Sequence, residues 1–155
     1  DTNMAKSGIN KKKLIKAGGG QVFCFMADED VAARAKETGC TRAAASMEKA
    51  ARMFGGSHWT LEDNPCGSGN RTPVIMAVGN APTALSALYQ MIQEGRFLPT
   101  LIIGVPVGFV NVVVAKEQIL RQNQVPYIVS RGRKGGSNVA AAIVNALIYQ
   151  NIGKI

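Results

Sequence analysis

Along most of this sequence, short apolar runs alternate with longer stretches of helical periodicity. Gln21 to Met26 (QVFCFM), Val74 to Val78 (VIMAV), Thr100 to Ile103 (TLII) and Pro126 to Ser130 (PYIVS) have the length and residue types of strands. Asp28, Glu29 and Asp30 put negative charge where a helix dipole favours it, and predict a helix running to about Thr38. Thr41 opens a second helix, TRAAASMEKAARMF, closed by Gly55-Gly56. Ser57 to Thr72 is polar and punctuated by Asn64-Pro65 and Gly67-Ser68-Gly69, which reads as a surface loop. Asn80 is placed to cap a helix whose first turn holds Pro82, where the missing N–H is harmless, and that helix runs to Gly95. Two more helices are predicted, from about Asn111 to Gln122 and from Asn138 to about Asn151.

Strand, glycine-containing turn and helix, repeated, predict an α/β domain. The expected layout is three-layered and Rossmann-like: a mainly parallel sheet with helices on both faces. The four apolar runs supply four strands. A fifth, ending at Asp1, would explain why the sequence opens abruptly on the turn-type residues Asp1-Thr2-Asn3 without a Met. The expectation is one domain over residues 1–155 that lacks an amino-terminal segment. In such sheets ligands bind beyond the carboxyl ends of the strands, where the turns gather.

Composition narrows the function. Hydrophobic residues make up 46% and aromatics 6%, so the core rests on aliphatic side chains, Ala and Met. Lys and Arg number 18 against 10 Asp and Glu, a net charge of +8. The excess gathers at Lys11, Lys12, Lys13 and Lys16 and again at Arg131, Arg133 and Lys134. Nucleic acid, an acidic membrane surface or a multiply anionic small molecule would each answer such charge. Few aromatics and no helix-turn-helix, RRM or KH signature speak against nucleic acid. The apolar stretch from Leu101 to Ala115 is too short to span a membrane and is broken by Gly104, Pro106, Gly108 and Asn111. Cys24, Cys40 and Cys66 make an odd count at unrelated spacings, which predicts free thiols in a reducing cytoplasm. With one histidine, His58, in the polar loop, no metal site is expected and a catalytic imidazole is disfavoured.

Three strand-end turns carry the candidate chemistry. Val78-Gly79-Asn80-Ala81-Pro82-Thr83 offers backbone N–H groups to a carboxylate or phosphate, or is an ordinary capped turn. Gly104-Val105-Pro106-Val107-Gly108-Phe109-Val110 suits backbone packed against a flat ligand, or glycine used simply for tight turning. It is not G-x-G-x-x-G, and no acidic residue follows at the distance a nicotinamide site needs. Arg131-Gly132-Arg133-Lys134-Gly135-Gly136-Ser137 sets three cations and three glycines between a strand and a helix. Such a turn can converge on one anion, or be a solvated basic loop; it does not match the ATP-binding G-x-x-x-x-G-K-[ST] pattern. Thr41 and Arg42 stand at a helix start, Asp1 and Ser7 fit the same rim, and Lys11 to Lys13 reads as a solvated helix face.

Taken together, D-T-N-M-x-x-S-G-I (Asp1 to Ile9), T-R-A-A-A-S-M (Thr41 to Met47), G-N-A-P-T-A-L (Gly79 to Leu85), G-V-P-V-G-F-V (Gly104 to Val110), the lysine of A-K-E (Lys116) and R-G-R-K-G-G-S-N-V-A-A-A-I (Arg131 to Ile143) resemble the precorrin-8X methylmutases in order and spacing. D-T-N-M and C-F-M-A-D-E-D-V resemble the anaerobic branch, whose substrate carries cobalt. The resemblance implies an isomerase of cobalamin biosynthesis that shifts the C-11 methyl of (cobalt-)precorrin-8 to C-12, giving hydrogenobyrinic or cobyrinic acid. It implies no separate cofactor, an anionic corrinoid as substrate and product, and a homodimer or other homo-oligomer in the cytoplasm. On that resemblance Thr41, Arg42, Lys116, Arg131 and Lys134 are expected to grip substrate carboxylates, with Asp1 and Ser7 also lining the substrate site. Gly79, Asn80, Thr83, Gly104 and Gly108 are expected against the ring or its side chains. The family also carries roughly fifty further amino-terminal residues, with a histidine in an M-I-H segment as the acid. No histidine of this sequence matches it, so the acid is unassigned and a non-catalytic tetrapyrrole-binding relative is the alternative.

Overall fold

The computed structural model describes residues 1–55 and 73–152. Its elements run α1 (Asn3–Gly8), α2 (Lys11–Lys16), α3 (Glu29–Thr38), α4 (Arg42–Phe54), β1 (Ile75–Val78), α5 (Pro82–Gln93), β2 (Leu101–Gly104), α6 (Val112–Arg121), β3 (Tyr127–Val129) and α7 (Ser137–Asn151). The strands lie in the order β1-β2-β3, all parallel, with Ile75 opposite Leu101 and Ile102 opposite Tyr127.

Alternation along the strands sorts side chains between two helical layers. Met76, Val78 and Ile102 point to one face and pack with Leu85, Leu88 and Ile119 in the layer of α4, α5 and α6. Ala77, Leu101 and Ile103 point to the other and meet Ala140, Ile143 and Leu147 of α7. A strand covered on both faces reads as a continuous apolar run, as Leu101-Ile102-Ile103 of β2 does. The three-layer, parallel α/β arrangement expected from the sequence is therefore present. Among the described residues, no helix is long and apolar enough to cross a membrane.

Gln21 to Met26 departs from expectation. It forms no ladder, leaving three described strands rather than four. Phe23 and Phe25, two residues apart, turn to one side, stack at 6.0 Å and close on Phe54 at the end of α4. The apolar content that reads as a strand serves an aromatic clasp on a helix instead. Lys49 fastens the same corner, donating to Asp28 at 2.6 Å and Asp30 at 2.7 Å and lying over the Phe25 ring. Those bonds hold the Asp30 carboxyl below its ordinary range.

Two short helices lie against α7. Asn145 accepts from the Asn10 N–H at 2.8 Å and donates to the Gly8 carbonyl at 2.9 Å. The Asp1 nitrogen donates to the Ala77 carbonyl at 2.9 Å. Because the Val74 and Val78 carbonyls are taken from the β2 side, Ala77 faces the open edge of β1, and Asp1 lies beside that edge.

The sheet and α7 meet most tightly at Gly79, where a Cβ would stand 2.7 Å from Ser137 Cα and 2.9 Å from the Gly136 carbonyl. Gly79→Ala should therefore destabilise the domain by about 2 kcal/mol through overpacking. Urea unfolding measures it, and an unchanged midpoint would mean that this approach is looser than described.

Candidate functional site

All three strands end at one edge, and contacts among their turns draw them into a single rim. Gly136 N–H donates to the Val105 carbonyl at 2.9 Å, tying the β3–α7 turn to the β2–α6 turn. Gly135 lies so close to that carbonyl that any side chain would collide with it, and Gly136 sits at φ 137°, a conformation that favours glycine. Gly79 brings the β1–α5 turn against the start of α7, and Gly108 lies 4.0 Å (Cβ position) from the Pro82 ring. From α4, the Thr41 hydroxyl caps its own helix at Ala44 and bonds the Thr83 hydroxyl at 2.8 Å. Turns far apart in sequence do converge.

The β1–α5 turn is not an open anion cradle. The Asp1 carboxylate accepts from the N–H groups of Gly79 (2.8 Å), Asn80 (3.1 Å) and Ala81 (2.7 Å). Asp1 thus fastens the turn that leads into α5 from a remote point in the chain, near the helix N-terminus where a carboxylate is favoured. Two expectations are corrected. Asn80 is no side-chain cap, Ala81 being the N-cap residue, and the Gly79 and Asn80 N–H groups already have a carboxylate. Thr2 extends this clasp through a 2.7 Å bond to Ser137.

Two more expected contacts move inward. Gly104 is buried, and the space a side chain would need holds Leu85 and Val129, so it serves packing rather than a ligand-lined floor. Lys116, expected to grip a substrate carboxylate, has no exposed surface. Its ammonium lies just beneath the basic turn and donates to the Lys134 carbonyl (2.7 Å), the Gly132 carbonyl (2.8 Å) and Ser130 Oγ (3.2 Å). Desolvation pushes its pKa below the ordinary lysine value. Ser7 is exposed on α1, whose neighbour Gly8 packs on Ala141, one helical turn away from the rim at Ser137.

Four cations remain outside. Arg131, Arg133 and Lys134 are exposed on the β3–α7 turn, and Arg42 is exposed at the first position of α4. Arg131 is 77% exposed and only 3.9 Å from Glu117, a surface pair worth at most about 1 kcal/mol. Among the described residues Arg42, Arg133 and Lys134 form no ion pair. A groove of about 740 Å³ runs from Thr41 and Thr83 along α5, lined also by Asn111, Gln90 and Gln118. Those amides escaped the sequence reading because isolated Gln and Asn on helices carry no motif; Asn111 at φ 57° is the one with a backbone signature. Cys24 and Cys40 are half-buried free thiols, whereas His58, Cys66 and the polar loop around them lie outside the described residues.

Fold and rim define a three-layer α/β domain whose strand-end turns close on one another and carry exposed cations. The chain belongs to the precorrin-8X methylmutase family, whose model matches residues 1–150. It is 40% identical over 153 residues to the cobalt-precorrin-8 methylmutase of Leptospira interrogans, covering 96% of this chain and 62% of that protein. It is 39% identical over 148 residues to the precorrin-8X methylmutase of Pseudomonas aeruginosa, covering 95% and 62%. Among solved structures, a precorrin-8X methylmutase from Thermus thermophilus superposes with a TM-score of 0.78 at 38% identity, over 99% of this chain and 65% of that one. A precorrin-8X methylmutase related protein gives 0.75 at 30% identity, over 96% and 68%. The chain thus spans 62% of the length of both curated relatives.

Asp1→Ala should leave three N–H groups of the rim without their carboxylate and lower stability by about 2 kcal/mol. Thermal unfolding of the two proteins side by side checks this; equal midpoints would show that water replaces the carboxylate without loss.

Proposed function

We propose that this chain holds (cobalt-)precorrin-8 during migration of its C-11 methyl to C-12, the isomerisation that yields hydrogenobyrinic or cobyrinic acid. The observation that carries this reading is the convergence of the family's separate motifs into one cation-bearing rim. A macrocycle edged with acetate and propionate side chains needs several positive groups set around a less polar base. Arg42, Arg131 and Lys134, with the Thr41–Thr83 hydroxyl pair between helices, meet the carboxylates. Charge-assisted bonds of this kind are about twice as strong as neutral ones, and two guanidinium groups can each grip a carboxylate through paired bonds. Val107, Gly108 and Phe109 offer apolar surface beside them.

Holding is itself catalytic for a rearrangement within one molecule. The methyl group needs its donor and acceptor carbons in a fixed, strained relation, which many-point attachment of the periphery supplies. The protonating group of the family's chemistry is not among the residues assigned above. Asp1 does not fill that role, because its carboxylate is committed to three backbone N–H groups.

Titration with hydrogenobyrinic acid, the metal-free product, should shift the corrinoid absorption at micromolar protein. Arg131→Ala and Arg42→Ala should each weaken that binding by about 2 kcal/mol, the worth of one charge-assisted contact. A wild-type protein that leaves the spectrum untouched would refute the reading.

We further propose a homo-oligomer in the cytoplasm. Phe109 is 87% and Val110 76% exposed beside the rim, a pairing of apolar residues that a second copy would cover. The half-buried free thiols suit a reducing compartment. Light scattering should give a mass of at least two chains, and a monomer mass at working concentration would contradict the assembly.

A further inference from the structure

Lys116 is the most unusual group in the fold. It is a fully buried ammonium on α6 whose three bonds go to neutral oxygens, with no carboxylate among them. It also lies under a turn bearing three more cations. As a packing element it is a poor choice, since a methionine would fill the same volume without taking a charge out of water. The lowered pKa expresses that same penalty.

What the ammonium does becomes clear from the peptide planes it touches. In a planar trans peptide the carbonyl of one residue and the N–H of the next point in opposite directions. Lys116 draws the Gly132 and Lys134 carbonyls inward, and Ser130 adds a second bond to the Lys134 carbonyl at 2.9 Å. The N–H groups of Arg133 and Gly135 must therefore turn outward. Among the described residues neither is paired with an acceptor, whereas the next N–H, that of Gly136, is bound to Val105. Gly132, at φ 74°, supplies the left-handed turn that lets alternate peptide planes flip this way. Backbone N–H groups of one turn that face the same side can share an anion. The same turn carries the exposed side chains of Arg131, Arg133 and Lys134.

We propose that Lys116 is a positioning residue: from beneath, it fixes the polarity of the Arg131–Gly136 turn so that the Arg133 and Gly135 N–H groups, with the neighbouring cations, receive one carboxylate of the substrate. Lys116 itself never meets the ligand. Methionine at this position would fill the core but release both carbonyls, and the N–H groups would lose their common direction. The inference rests on the corrinoid reading above and assigns one carboxylate of that ligand to this turn.

A double-mutant cycle read by hydrogenobyrinic acid titration tests it. Lys116→Met should weaken binding about tenfold while thermal unfolding and far-ultraviolet circular dichroism stay close to wild type. In a background of Arg133→Ala with Lys134→Ala, where the turn has already lost its grip, Lys116→Met should change affinity by less than about twofold. A lysine needed only for packing would give the same factor in both backgrounds, and that result overturns the proposal, as does wild-type affinity in the single variant. If Lys116→Met does not fold, Ser130→Ala removes one acceptor and the Ser130–Lys134 bond with the core intact, and carries the same cycle. Failure of the wild-type protein to bind would instead refute the corrinoid reading.

Discussion

Close approach of three strand-end turns is the constraint on which the rest of this domain depends. A parallel sheet sends every strand toward the same edge, but it does not oblige the turns there to touch. They touch because Gly79, Gly135 and Gly136 leave no side chain between main chains, letting the start of α7 settle on β1 and the Val105 carbonyl accept from Gly136. The exposed cations of the β3–α7 turn are thereby set beside the ends of β1 and β2, and the Thr41–Thr83 bond joins the start of α4 to the start of α5.

Two internal charges hold this rim, and they act in opposite senses. Asp1 gathers backbone N–H groups inward at the β1–α5 turn. Lys116 gathers carbonyls inward at the β3–α7 turn, leaving N–H groups outward. The first turn already holds a carboxylate, whereas the second has no acceptor for the Arg133 and Gly135 N–H groups among the described residues. Turns alike in setting, both between strand and helix, thus differ in which backbone groups are engaged because of a single charged residue beneath or beside each. The net charge of +8 does not convey this, since what matters is which cations remain unpaired at the rim.

Much of the fold was legible in the sequence. Strands buried on two faces appear as short apolar runs, and helix starts are marked by the Thr41 cap and by Pro82 in a first turn. QVFCFM misled because an aromatic-rich extended segment has the composition of a strand whether it pairs with a sheet or packs on a helix; only Phe54, thirty positions on, decides. Site residues divide along similar lines. Thr41, Thr83, Arg42, Arg131 and Lys134 were found at the rim because residue type and turn position suffice to place them. Asp1 is engaged with the Gly79 and Asn80 N–H groups, Gly104 and Lys116 are buried, and of these residues Asn80 keeps an exposed side chain. The true partners of Asp1, Gly104 and Lys116 are backbone atoms and core side chains distant in sequence, and spacing along a chain carries no information about those.

Family membership is what suggests the corrinoid ligand proposed for this rim. The physical claim beneath it is narrower: free N–H groups and unpaired cations occur together at the β3–α7 turn and not at the β1–α5 turn. Amide hydrogen exchange followed by NMR, without and with hydrogenobyrinic acid, addresses this most directly. In the free protein the amides of Gly79, Asn80 and Ala81 should exchange slowly while those of Arg133 and Gly135 exchange fast, and the corrinoid should slow the latter pair. Fast exchange at Gly79 to Ala81, with protection by the corrinoid appearing there and not at Arg133 and Gly135, would contradict the account.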